Sequence, residues 1–204
     1  MRKSAWVWAA AAALMGPGLA VAEVNLELRA LAQTKNVGQQ VNLGVYAVSD
    51  SAANQFMGSG NVVLGWNPTY LTLLGLSQAG ASPQVLSAAF PPLDPYGINE
   101  ASPPADGSGI IQVIGQLSGP EISATPSGTL LTTIRFNAVA QTPLTLVSIL
   151  NFAGSPPAPT QVFDGPNDVT GTLGSAAVTI VPEPASILLL LALAAIARRQ
   201  RKPW

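Results

Sequence analysis

Val41-Asn42-Leu43-Gly44-Val45-Tyr46-Ala47-Val48 places Val41, Leu43, Val45 and Ala47 at every second position, the period of a strand with one buried face. Upstream, Val24-Asn25-Leu26-Glu27-Leu28 repeats the same alternation. Downstream, Asn61 to Trp66 and Tyr70 to Leu76 are parted by Asn67-Pro68-Thr69, where proline withholds an N–H from any ladder and turns the chain. Further strands are predicted over Ile110–Leu117, Thr129–Val139, Leu144–Leu150 and Ala176–Val181. The segments between them are rich in Gly, Pro, Ser, Asn and Asp, which is the turn chemistry of an all-β domain.

No stretch from Glu23 to Val181 carries a long period of 3.6 residues with caps. One short helix is predicted, with Ser82 as N-cap, Pro83 in the first turn and Gln84 to Ala89 following. It lies in a long excursion, Gly80 to Gly109. Glycine and proline number 19 and 18 of 204 residues, below the fraction that signals disorder. About eight or nine strands at this spacing argue a β-sandwich rather than a parallel sheet.

The two ends follow different rules. Met1-Arg2-Lys3 is basic, Ser4 to Met15 carries no charge, and Leu19-Ala20-Val21-Ala22 offers Ala20 and Ala22 at the small-x-small positions of a signal cleavage site. The apolar run is too short to span a bilayer core of roughly 30 Å. Signal peptidase is expected to cut after Ala22, which gives a signal peptide over 1–22 and a domain over 23–181. The alternative, a buried N-terminal helix, leaves Arg2 and Lys3 without a purpose.

Between the ends, three basic residues (Arg29, Lys35 and Arg135) face nine acidic ones, a balance of about −6. Such a surface repels phosphate backbones, which excludes nucleic acid as a partner. The chain has no cysteine and no histidine. Stability must come from the core alone, and the usual general base, thiol nucleophile and common zinc ligands are missing. No enzyme is expected.

After Val181 come Pro182-Glu183-Pro184, an apolar run over 185–197, and a tail containing Arg198, Arg199, Arg201 and Lys202. The prolines end the last strand. As a helix, the 13 residues of the run reach about 20 Å, short for a permanent span. The basic residues stop translocation at the cytoplasmic face of the inner membrane. This order of triplet, apolar helix and basic cluster resembles the PEP-CTERM sorting signal, here over 182–204. Gln200 interrupts the cations and Lys-Pro-Trp trails them. The resemblance implies transient anchoring in the inner membrane and removal of the tail by an exosortase. It also implies display at the surface or in the matrix of a Gram-negative bacterium that makes exopolysaccharide or biofilm. The alternative is an ordinary short membrane anchor.

In the domain itself, Gly38-Gln39-Gln40-Val41-Asn42-Leu43, Gly60 to Leu71 with its Trp66-Asn67-Pro68 turn, Gly128 to Phe136, and Asp164 to Ile180 follow one another along the chain. In kind and order these segments resemble those of the cohesin family and related carbohydrate-binding modules. Asn67 and Gln39 stand where the family has acids, so a role tied to those carboxylates is not carried over. The resemblance implies a jelly-roll β-sandwich of about 8–9 strands, flanked by the N-terminal signal helix and the C-terminal transmembrane sorting helix.

Two small constellations remain. Trp66 and Tyr70 flank the Asn-Pro turn and are candidate ligand contacts, since sugar C–H faces stack on aromatic rings; the competing reading is core packing near a strand end. Asp164 and Asp168, with Asn167 between them, are oxygen donors of the kind calcium takes. Asp-Gly-Pro-Asn-Asp is first a turn sequence, without the full spacing of a calcium loop. No other cofactor is expected. The function that these readings support is protein–protein interaction at the cell surface, with a carbohydrate-binding module for exopolysaccharide as the alternative.

Overall fold

The computed structural model describes residues 23–30, 34–92, 94–116 and 119–183. The signal segment with Ala20 and Ala22 lies outside them. So do Pro184, the apolar run, and Arg198, Arg199, Arg201 and Lys202 of the tail.

The described residues form strands joined by turns. The first group is β1 (Val24–Ala30), β2 (Thr34–Asn36), β3 (Gln40–Ser49), β4 (Gln55–Met57), β5 (Ser59–Trp66) and β6 (Leu71–Ser77). There follow β7 (Val85–Ala89), β8 (Ser108–Gly115), β9 (Ile122–Ala124), β10 (Thr129–Ala138) and β11 (Thr142–Leu150). The last group is β12 (Phe152–Ala153), β13 (Ala158–Pro159), β14 (Gln161–Asp164), β15 (Asn167–Asp168), β16 (Thr170–Leu173) and β17 (Ser175–Val181).

Two sheets carry the fold. One has five strands in the order β16-β1-β3-β10-β6. The other has eight: a path β15-β14-β5-β11-β17-β2, with β8 on the second side of β5 and β7 beyond it. The two face each other as a sandwich because alternation sends one set of side chains inward from each. Leu26, Leu43, Ile134 and Phe136 from the first sheet meet Val62, Leu64, Ile111 and Val178 from the second in one buried cluster. Burying such side chains is the main favourable term for a domain with no cross-link.

Most pairings are antiparallel, but β1 with β16 and β2 with β17 run parallel. Both ends of the domain therefore pass from one sheet to the other, side by side. Gly174 is the crossing point: its N–H donates to Leu26 O at 2.8 Å, and its carbonyl accepts from Ile149 N at 2.9 Å. A Cβ there would sit 3.1 Å from Leu26 O and 3.2 Å from Glu27 Cα, so the close approach needs glycine.

The short helix expected over residues 84–89 is not formed. Val85–Ala89 is a strand on the edge of β8. Val85 N does donate to Ser82 O at 3.0 Å, but this single turn goes no further. A register shift between Val85 and Ser87 brings both Val85 and Ala88 onto the core, and pairing with β8 satisfies one side of the β7 backbone. Tertiary pairing here overrides local propensity.

The excursion after β7 is tied down rather than loose. The Asp94 carboxylate accepts from Tyr96 N at 3.0 Å, Ile98 N at 2.5 Å and Asn99 N at 3.0 Å. The buried Asn99 amide grips β8 in both directions, donating to Ile110 O at 2.9 Å and accepting from Ile110 N at 3.0 Å. Ile98 and Ala158 then cover Val63 and Ile110 on the outer side of the eight-stranded sheet as a second small core. The remaining gap lies between β11 and β14, and the Thr160 hydroxyl fills it, accepting from Val63 N and donating to Leu150 O.

Candidate functional site

At the C-terminal end of the sandwich, β17 runs to Val181 with no spacer before Pro182 and Glu183. Ile180 is buried in the core and Val181 is half-buried. Thr179, Ile180 and Val181 pair with Thr34, Lys35 and Asn36. The turn that follows β2 closes with Gln39 N donating to Asn36 O at 3.0 Å, and Gly38 takes a φ of 83°. This turn bonds to both sheets: Val37 N donates to Val181 O at 3.0 Å, and Gly38 N donates to Ala138 O at 2.7 Å. The exposed Glu183 lies across the turn, with Oε1 3.2 Å from where a Cβ on Gly38 would stand.

The two candidate aromatic contacts do not form a platform. Trp66 is 7% exposed and its ring packs against Phe136, with centroids 5.5 Å apart at 60°. Its alternation with Val62 and Leu64 already sends it inward. Its Nε1 is buried and has no partner among the described residues. Tyr70 is half-buried and packs on the same core. Between them, Asn67 Oδ1 accepts from Thr69 N at 2.9 Å and Asn67 O accepts from Tyr70 N at 3.1 Å, so this segment is a strand connection.

Asp164 and Asp168 belong to a hairpin. Gly165 supplies the φ of 56° at the first position of the two-residue loop, with Asp164 opposite Asn167 and Phe163 opposite Asp168. The two carboxylates thus occupy adjacent pairs, whose side chains leave on opposite faces. Each has protein donors: Gln55 Nε2 reaches Asp164 at 2.9 Å, and Asp168 accepts from the Thr170 hydroxyl at 2.5 Å, Thr170 N at 3.0 Å and Gln161 Nε2 at 3.1 Å. Among the described residues, no three His, Cys, Asp or Glu gather to hold a metal.

The Thr170 hydroxyl holds the Asp168 carboxyl below its ordinary value of 3.8, against a smaller opposing effect of burial. A lowered folded value means a contribution to stability that is complete above 3.8 and fades as pH falls through the lowered value. Asp168 is exposed, so the effect is small. The melting difference between wild type and Asp168→Asn is expected to shrink in acid; a difference independent of pH rules this out.

The structure brings forward two surfaces that alternation alone did not single out. On β11, Leu144 and Leu146 are 57% and 50% exposed. Leu146 sits opposite the exposed Ala177 of β17, which makes a small apolar strip on the outer side of the eight-stranded sheet. A sequence signal existed: Leu144, Leu146, Val147 and Ile149 are more apolar residues than one face can bury. The outer side of the five-stranded sheet is polar instead. There Arg29 stacks 4.5 Å over the Tyr46 ring and pairs with Glu27 at 2.8 Å. Arg135 lies opposite Asn42 and Gly75. Its Nη2 donates to Leu76 O at 3.3 Å, while its buried Nε has no partner among the described residues.

Comparison with known proteins adds two findings. The PEP-CTERM protein-sorting motif matches residues 181–202, beginning at the residue that Val37 holds. The sandwich is similar in fold to solved cohesin modules. One, from a family 33 glycoside hydrolase of Clostridium perfringens, has a TM-score of 0.56 at 13% identity, over 79% of this chain and 99% of that module. The third cohesin of ScaC from Acetivibrio cellulolyticus, in complex with the ScaB dockerin, gives 0.53 at 11% identity, over 78% and 99%. A cohesin in a type I cohesin–dockerin complex from Clostridium thermocellum gives 0.51 at 14% identity, over 77% and 99%. No curated protein matches the chain. The chain thus joins a PEP-CTERM protein-sorting motif to an all-β sandwich that is cohesin-like in fold.

Proposed function

We propose that this protein is exported, trimmed at both ends, and displayed at the surface of a Gram-negative bacterium, where its sandwich serves as a protein-interaction module. The observation that carries the reading is the order of parts: a sorting motif over 181–202 follows the last strand of a cohesin-like fold. Signal peptidase removes 1–22, and an exosortase removes the tail after transient anchoring by a helix over 185–197. The sandwich over 23–181 is a jelly-roll, as the order of its motifs implies. Similar modules solved with dockerins suggest a protein partner. The exposed Leu144–Leu146 strip gives such a partner apolar area to cover. Without histidine or cysteine the chain lacks the usual general base and thiol nucleophile.

A second reading, attachment to exopolysaccharide, is favoured by one observation. Arg135, Asn42 and Asn137 share one polar face of the five-stranded sheet, and the Arg135 guanidinium lacks a carboxylate among the described residues. One experiment separates the two. Envelope proteins and insoluble matrix glycan from the native host are each offered to wild type, to Leu144→Ser/Leu146→Ser and to Arg135→Ala. Saturable binding of one protein, reduced at least about tenfold by the leucine changes alone, supports the protein reading, since apolar hot spots carry such losses. Binding to glycan that is lost only with Arg135 supports the second.

A further inference from the structure

We infer that the Asn36–Gln39 turn is a clasp that holds the entry to the sorting motif on the folded sandwich and slows its processing. The inference rests on the proposed reading of the tail as a protease substrate. Proteases take substrate as an extended segment whose backbone groups are free to pair with the enzyme. Here the carbonyl of Val181, directly before Pro182, is already bonded to Val37 N at 3.0 Å. Val181 is also in register with Asn36, and Glu183 lies over Gly38. The motif and the sheet therefore compete for the same residues.

The clasp is built to open locally. Ile180 is anchored in the core at 2% exposed, so the strand behind it stays in place. Beyond Ile180 only the half-buried Val181 and its bonds to the turn need release, and β2 is a three-residue edge strand. One or two hydrogen bonds of ordinary net strength correspond to about a 5- to 30-fold change in the open population.

The turn allows a selective test. Gly38 at φ 83°, with Val37 at a negative φ, makes it a type II turn, whose second position favours proline. Val37→Pro therefore keeps the turn, removes the N–H that holds Val181 and sets its ring Cδ against the Val181 carbonyl, so it opens the clasp both ways; Val37→Ala trims the side chain and keeps the N–H. A third chain inserts Gly-Ser-Gly-Ser between Val181 and Pro182, moving the motif away from an intact clasp. Pulse–chase in the native host reads C-terminal shortening of the full chain. Val37→Pro and the insertion are expected to shorten about 5- to 30-fold faster, with Val37→Ala close to wild type. Equal rates in all four chains, or slower processing of the insertion, overturn the clasp while leaving the sorting reading intact. A wild-type chain that is never shortened overturns the sorting reading, and the clasp with it. If Val37→Pro does not fold, the insertion decides alone.

Discussion

Replacing Pro182, Glu183 and Pro184 together by alanine is expected to leave the tail attached and the protein in the inner-membrane fraction, with near-complete loss of the shortened form. The triplet lies inside the matched sorting motif but outside the apolar run over 185–197. Alanine there neither weakens the hydrophobic segment nor removes the cations that fix its orientation. A plain anchor would therefore ignore the change, and the mutant would distribute like wild type. Fractionation with a probe for the sandwich gives opposite results under the two mechanisms. Equal distribution reduces the triplet to a linker.

The largest effect on stability is expected from Phe136→Ala. Phe136 is wholly buried between the sheets and carries the tilted contact with Trp66. Removing such a ring costs about 3–5 kcal/mol, because the lost transfer energy is joined by a cavity that two hydrogen-bonded sheets cannot collapse into. A domain of this size has about 5–15 kcal/mol in total, so melting should fall by roughly 6–20 °C. Leu146→Ala, on the exposed face, should leave it nearly unchanged. Thermal unfolding of residues 23–183 followed by circular dichroism checks both, and equal shifts would contradict the assigned faces.

Alternation was a sufficient guide to the long strands. Val24–Leu28, Val41–Val48 and Asn61–Trp66 lie within β1, β3 and β5; burial alternates along Val24–Leu28, whereas Gly44, Val48 and Val63 are buried as well where the other face is covered. The same rule, carried one step further, sends Trp66 inward with Val62 and Leu64. That burial agrees with core packing near a strand end, the reading that competes with ligand contact at this turn. The strand at Val85–Ala89 was illegible because its pattern is broken by a register shift and its stability comes from β8. The second core was illegible for a related reason: Ile98 and Ala158 have no periodic neighbours, and Asn99 finds Ile110 only through tertiary folding. The clasp joins Val37 to Val181 across most of the domain, and no local pattern encodes such a pair.

The parallel pairing of the first strands with the last also sets a timetable for folding. β1 gains its β16 neighbour, and β2 its β17 partner, only after nearly the whole domain has been made. Contacts so distant along the chain close slowly, since the loop entropy must be met before they reward it. An emerging chain can assemble β3, β5, β6, β8 and β10 while its N-terminal edge still waits. Gly174, which bonds Leu26 on one sheet and Ile149 on the other, completes the assembly. Only seven residues of chain separate it from Pro182. The residues that finish the fold are thus the last to appear before Pro182, so the bond between Val37 and Val181 marks a sandwich that has already closed.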